Sequence, residues 1–130
     1  MGLPSGQAVA KRMGVPVIPD DKLMVGKASI DPNDQKANVP ITSISGEFKG
    51  NAPLWFYILA EAFQQLDPAN ETPIRLGPVG GRIVGEVFVG LMMADSHSYL
   101  RQDPSWTPLP EFSNGGKFGI AEMLVQSMMA

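Results

Sequence analysis

The longest apolar pattern in the chain lies between residues 76 and 100, in the stretch LGPVGGRIVGEVFVGLMMADSHSYL. Within it, from residue 79 to residue 94, only Arg82, Glu86 and a few glycines interrupt the apolar residues, which fall on more than one face of a helix. The pattern predicts a helix over about residues 80–94, and a helix that is apolar nearly all round must be covered nearly all round. A membrane span is excluded, because it needs roughly 18 or more consecutive apolar residues and the two charges break the run early.

Three further helices are predicted, at about residues 5–13, 51–66 and 119–128. Ser5 suits the N-cap of the first helix, and Gly14 suits its C-terminal end. Residues 26–50 have many turn formers and no helical period, so we expect an extended surface loop there. The sequence thus predicts a mainly α-helical single unit over residues 1–130, with long loops rich in proline and glycine. The chain has 12 prolines and 14 glycines.

The helix at 51–66 has a narrow polar stripe, which we predict to face water. The stripe consists of Tyr57, Glu61, Gln64 and Gln65. The remaining side chains are apolar and need cover: Leu54, Trp55, Phe56, Ile58, Leu59, Ala62 and Phe63. Trp55, Phe56 and Tyr57 have two interpretations, as core residues or as the lining of a substrate channel.

Two of the predicted helices, 51–66 and 80–94, need apolar neighbours around most of their circumference. The other predicted helices of this chain are too few and too short to provide them. Burying a Leu, Phe or Met side chain contributes roughly 1.5 to 3 kcal/mol. If several such side chains stayed half-exposed, the lost free energy of burial would be comparable with the whole stability of a small domain, about 5 to 15 kcal/mol. We predict that the isolated chain is marginally stable, self-associating or dependent on a partner.

Composition narrows the function classes. The 10 basic and 13 acidic residues give a net charge of −3, and the basic residues are scattered, so no nucleic-acid surface is predicted. The chain has no cysteine, which excludes disulfides, thiol catalysis and cysteine-bound metals. No charged-then-apolar leader opens the chain, so we expect a soluble, cytoplasmic protein without a signal peptide.

Few side chains are candidates for chemistry, and each has two interpretations. His97, the only histidine, is a surface or capping residue, or else a metal ligand. Glu86 is an ion-pair partner of Arg82 one turn earlier, or a buried acid with a raised pKa that transfers protons. Gly81 and Gly85 permit the close approach of another helix, or of a flat ligand.

Four blocks of the sequence occur in an order that resembles a known family: GLPSGQAVAKRMGVP, FKGNAPLWFYILAEA, LGPVGGRIVGEVFVGLMMADSHSYL and PSWTPLP. Together they resemble the C-terminal part of bacterial members of the animal-type haem peroxidase superfamily, whose relatives include myeloperoxidase-like and cyclooxygenase-like enzymes. The resemblance covers the chain except residues 26–46. It implies an incomplete part of the α-helical peroxidase fold, from an enzyme that uses haem and hydrogen peroxide to oxidise small donors.

The resemblance also implies which parts of the enzyme are missing. In the family, the distal histidine, the catalytic arginine and the haem-ligating proximal histidine all lie upstream of the GLPSGQ block. The asparagine that supports the proximal histidine would fall just before Gly2, where this chain has Met1. No catalytic, cofactor-binding or metal residue is therefore assigned here, and we expect a scaffold fragment, inactive and without haem by itself.

Two kinds of partner follow from these expectations. As a peroxidase fragment, the chain would pack against an upstream peroxidase segment, or would self-associate through helices 51–66 and 80–94. As an alternative, the same helices would form a stand-alone protein-interaction or oligomerisation module without haem.

Overall fold

The computed structural model describes residues 2–29, 31–65 and 75–129 of the chain. These residues are mainly helical, which confirms the predicted fold class. The helices are α1 (Gly6–Met13), α2 (Pro32–Ala37), α3 (Leu54–Phe63), α4 (Pro78–Ala94), α5 (Tyr99–Gln102) and α6 (Ile120–Met129). Packing divides the chain into two compact units, Met1–Val87 and Phe88–Ala130.

Helix α1 begins and ends where its capping residues predict. The Ser5 hydroxyl accepts a hydrogen bond from the amide of Ala8 at 3.3 Å, which satisfies one of the free amides of the first turn. Gly14 adopts a left-handed conformation with φ of 70°, and its amide donates to the carbonyls of Ala10 and Lys11. Local capping chemistry is therefore sufficient to set both ends of this helix.

The segment predicted as an extended surface loop, residues 26–50, contains regular structure. It includes helix α2 and strand β2 (Val39–Pro40), and β2 pairs in antiparallel register with β1 (Met24–Val25), which directly precedes the segment. Asp31 caps α2 by accepting from the amide of Asn33 at 2.8 Å. The prediction missed α2 because this helix of six residues buries none of them and so has no apolar period to detect.

The core of the first unit lies where α1 and α3 pack together. Tyr57, Leu23 and Val79 are its largest fully buried side chains. Smaller residues complete it: Ala10, Ile18, Ile41, Ala52 and Ala60. Tyr57 therefore lies at the centre of the core, which agrees with the core interpretation of this residue and not with its place in the predicted polar stripe.

The predicted water-facing stripe of α3 is wrong in two of its four members. Tyr57 is fully buried and Glu61 is only 3% exposed, whereas Trp55 is 76% exposed and Leu59 is 51% exposed. Gln64 and Gln65 are exposed as predicted. The predicted end of this helix, Leu66, lies outside the described residues.

Helix α4 matches its predicted range apart from two added residues at its start, but it stays largely uncovered. Val79 and Gly80 are buried, while nearly every residue from Val84 to Ala94 is exposed. Its large exposed apolar side chains are Val84, Val87, Phe88, Val89, Leu91 and Met93, which we call the α4 apolar surface. Among the described residues, no helix has the length and apolar content needed to cross a bilayer.

Candidate functional site

A buried carboxylate holds the beginning of α4 against α3. Glu61 accepts hydrogen bonds from the amide of Val79, at 2.9 and 3.1 Å to its two oxygens, and from the amide of Gly80 at 3.1 Å. These amides are among the first-turn donors that a helix leaves unsatisfied, and an anion there also faces the positive end of the helix dipole. Gly77 leaves room for this contact, since a Cβ there would lie 2.2 Å from Cγ of Glu61.

A second buried polar group, the Tyr57 hydroxyl, joins α3 to the segment after α1. The amide of Ile18 donates to it at 2.9 Å. Burial of the phenol disfavours its ionised form and raises the pKa of Tyr57, and the hydrogen bond from Ile18 opposes that rise only in part. The phenol is therefore held neutral inside the core.

We expect this raised pKa to destabilise the first unit at alkaline pH. Below the ordinary tyrosine pKa, about 10, the phenol is neutral in both states and the stabilisation is intact. As the pH rises above that value, the unfolded chain releases its proton first, so the free energy of unfolding falls through the folded-state pKa. Urea titrations from pH 8 to 11 should show this fall in the free energy of unfolding. The fall should be smaller in Tyr57→Phe, because this variant lacks the contribution of the Tyr57 hydroxyl.

Tyr99→Phe is the control for that titration, because Tyr99 is 53% exposed and lies in the other unit. The Tyr99 variant should keep the wild-type slope of unfolding free energy against pH. Equal slopes for the wild type and the Tyr57 variant would contradict the expectation.

A third connection ties α1 to the loop before α3. The Gln7 side chain donates to Asp20 at 3.0 Å and accepts from the amide of Ala52 at 2.9 Å. Asp20 in turn accepts from the amide of Gly50 at 3.0 Å. Together with the bonds to Glu61 and Tyr57, these contacts fix the helices of the first unit relative to one another.

An open cleft of about 670 Å³ lies in the first unit, between the β1 segment and the second half of α3. Its wall is mostly apolar, with cationic side chains along it and no acidic residue among the described lining. The lining comprises Lys22, Met24, Val25, Gly26, Lys27, Ala28, Asn38, Phe56, Leu59, Ala60, Ala62, Phe63, Arg75 and Leu76. This cleft was not predicted from the sequence.

His97 lies in the turn after α4, where its side chain is 86% exposed. Its backbone amide donates to Asp95 at 2.8 Å, and its ring Nδ1 is 3.7 Å from the same carboxylate. The described residues contain no group of three or more potential metal ligands among His, Cys, Asp and Glu. His97 therefore lies at the surface of the described structure.

The other candidates on α4 also have structural positions. Arg82 and Glu86 form the predicted ion pair at 2.7 Å, with side chains 50% and 62% exposed, so Glu86 is not a buried acid. A Cβ added at Gly81 would meet only atoms of nearby Leu76, at 3.8 Å or more. A Cβ added at Gly85 would have no described atom within 4 Å, apart from its chain neighbours and the helix's own backbone. The close approach occurs instead at Gly80, where a Cβ would lie 2.7 Å from a methyl group of Ile58.

The described residues do not fit a haem site of the peroxidase type. Such a site needs a proximal histidine that binds the iron. His97 is the only histidine of the chain, and it is exposed on a turn rather than enclosed by apolar walls.

Three features of the described residues are thus available to carry a function: the buried polar contacts that fix α4, the α4 apolar surface, and the cleft beside α3. Comparison with family models, with curated proteins and with solved structures gives no match.

Proposed function

We propose that this chain is the C-terminal scaffold of a haem peroxidase, and that its exposed apolar helix surfaces pack against the upstream portion of that enzyme. The observation that carries the proposal is the α4 apolar surface, where Phe88 and Leu91 are each 63% exposed. The resemblance of the four sequence blocks supplies the family. The upstream portion can belong to the same polypeptide or to a second one.

The free energy available from covering α4 supports an obligatory partner. Val84, Val87, Phe88 and Leu91 follow the spacing of one helical stripe, and Val89 and Met93 extend the apolar area beyond it. Full burial of each large apolar side chain contributes roughly 1.5 to 3 kcal/mol, so cover over this surface is worth several kcal/mol. That gain is of the size that distinguishes a marginal protein from a stable one.

The buried contacts of the first unit give the scaffold its role. Glu61 fixes the first turn of α4, and Tyr57 and Gln7 fix α3 and α1 behind it. The start of α4 is held in place while its later turns present apolar side chains. In the complete enzyme the haem supplies the redox chemistry with peroxide, and this chain supplies packing behind the pocket.

Reconstitution tests the proposal directly. The chain is mixed with the upstream half of a related bacterial peroxidase in the presence of haem, and the visible spectrum, peroxide turnover and sedimentation are recorded. We expect a Soret band, turnover and a 1:1 complex only in the mixture. Peroxide turnover by this chain alone, or no complex with any upstream half, would contradict the proposal.

A double variant, Phe88→Ser with Leu91→Ser, locates the interface in the same experiment. We expect it to weaken the complex at least about ten-fold, because roughly 1.4 kcal/mol of lost apolar burial has that effect. Leu109→Ser is the matched control, since Leu109 is 55% exposed and lies outside α4. Equal weakening of the complex by the control would show that the interface is not formed by α4.

A second candidate function, an oligomerisation module without haem, is favoured by helix α6. Ile120 is 76% exposed and Leu124 is 58% exposed, so a further apolar helix surface is available for self-association. A colourless homo-oligomer that survives the addition of the upstream half would support the module over the scaffold.

A further inference from the structure

We infer that the cleft beside α3 binds a small amphipathic anion, with its apolar part along α3 and its anionic group near Lys22 and Arg75. The cleft lies entirely within the first unit, and its lining includes no residue of α4. This inference is therefore independent of the proposed scaffold role.

The size and the wall of the cleft suit a small apolar group. Its volume of about 670 Å³ falls within the range of about 300 to 1,000 Å³ typical of small-molecule sites. Phe56, Leu59 and Phe63 line one side from α3, and Leu76 adds to the apolar wall. Leu59 is 51% exposed, so a ligand there would remove apolar surface from water.

The charge of the cleft selects an anion. Lys22, Lys27 and Arg75 line it, and no Asp or Glu is found among its described lining residues. Lys27 is already engaged, because its ammonium group lies 2.9 Å from the carboxylate of Asp34. Lys22 and Arg75 form no ion pair with another described residue, so they are the cations that a ligand would meet.

The opposite wall of the cleft is formed before any ligand arrives. Both polar atoms of the Asn38 amide group bind the backbone of Lys27, with its oxygen accepting at 2.9 Å and its nitrogen donating at 3.0 Å. Gly26 has φ of 148°, and a Cβ there would lie 1.8 Å from the Asn38 side-chain oxygen. Glycine is therefore required beside Asn38, and no side chain at position 26 can fill the cleft.

These features predict an order of affinity among ligands that share one alkyl chain. A ligand with a carboxylate or sulfonate head group would contact both the apolar wall and the two cations, whereas a ligand with a neutral head group would be stabilised only by the apolar wall. A cationic head group is repelled by Lys22 and Arg75. The head group, rather than the tail, should therefore decide binding.

The test is a titration of the full chain, labelled with ¹⁵N, followed by NMR. Octanoate, 1-octanol and octyltrimethylammonium serve as probes with the same tail and different charge. We expect octanoate to shift the amide signals of Gly26, Leu59 and Leu76, and to bind at least about ten-fold more tightly than the other two, a difference of roughly 1.4 kcal/mol.

Substitution of the two cations completes the test. Lys22→Gln with Arg75→Gln should weaken octanoate about ten-fold, roughly 1.4 kcal/mol, and leave octanol unchanged. Both positions are exposed, so the fold should be retained. Lys11→Gln with Arg12→Gln, exposed on α1 and outside the cleft lining, is the control with the same loss of charge. Equal affinity for the three head groups, an equal effect of the control, or shifts confined to α4 would overturn the inference.

Discussion

Gly6→Ala is expected to lower the free energy of unfolding of the first unit by about 3 kcal/mol, at the upper end of the usual cost of overpacking a core. A Cβ at position 6 would lie 2.1 Å from both Cβ and Cγ of Tyr57. These atoms are at the base of the side chain, so a rotation of the tyrosine ring cannot relieve the clash. Backbone movement is restricted as well, because the Gly6 amide donates to the carbonyl of Ala52 at 2.9 Å.

Urea unfolding followed by circular dichroism measures this effect. Gly46→Ala is the matched control, since no described atom lies within 4 Å of the position of its Cβ, and we expect its free energy of unfolding to change by at most about 0.5 kcal/mol. Equal unfolding midpoints for the two variants would show that α1 and α3 do not pack as closely as described.

The helices with strong local signals were predictable from the sequence. Ser5 and Gly14 delimit α1 through hydrogen bonds to residues within one turn, so the amino-acid order alone contains the information. The long apolar stretch likewise predicts α4 to within two residues at its start. Its excess of apolar surface was also predictable, and the exposure of Phe88 and Leu91 confirms that the described residues do not cover it.

The side of α3 that faces the core was not predictable, because its polar residues are satisfied by distant parts of the chain. Tyr57 binds the amide of Ile18, 39 residues away, and Glu61 binds the amide of Val79, 18 residues away. Each buried polar group is stable there because it has a hydrogen-bond partner. Periodicity reports only residue type and spacing, so it places Tyr57 and Glu61 in water.

The cleft was missed for a related reason. Its two walls come from residues 22–28 and 56–63, which only the tertiary fold brings together. Gly26 and Asn38, which shape one wall, come together only through the pairing of β1 with β2. Such short strands have no period long enough to predict their pairing.

Removing the carboxylate of Glu61 should have an effect as large as that of Gly6→Ala. Glu61→Ala leaves the buried amides of Val79 and Gly80 without their acceptor, and each unsatisfied buried group costs about 1 to 3 kcal/mol. The bonds are also charge-assisted, which makes them stronger than those between neutral groups. We expect a total loss of about 3 kcal/mol in the free energy of unfolding.

Glu61→Gln separates the charge of this group from its shape. The amide retains one acceptor oxygen and a similar volume, so we expect a smaller loss, about 1 to 2 kcal/mol. Glu86→Ala, on α4, is the control, because its exposed ion pair with Arg82 should contribute at most about 0.5 kcal/mol.

Hydrogen exchange distinguishes a local effect at the start of α4 from general destabilisation. In Glu61→Ala, the amides of Val79 and Gly80 should exchange faster by a larger factor than the amide of Tyr57, which lies in the core and donates to the carbonyl of Pro53. Exchange accelerated equally at all three amides would mean that Glu61 stabilises the unit as a whole. Unchanged exchange at Val79 and Gly80 would mean that another acceptor replaces Glu61, and the account of how α4 is held would then be wrong.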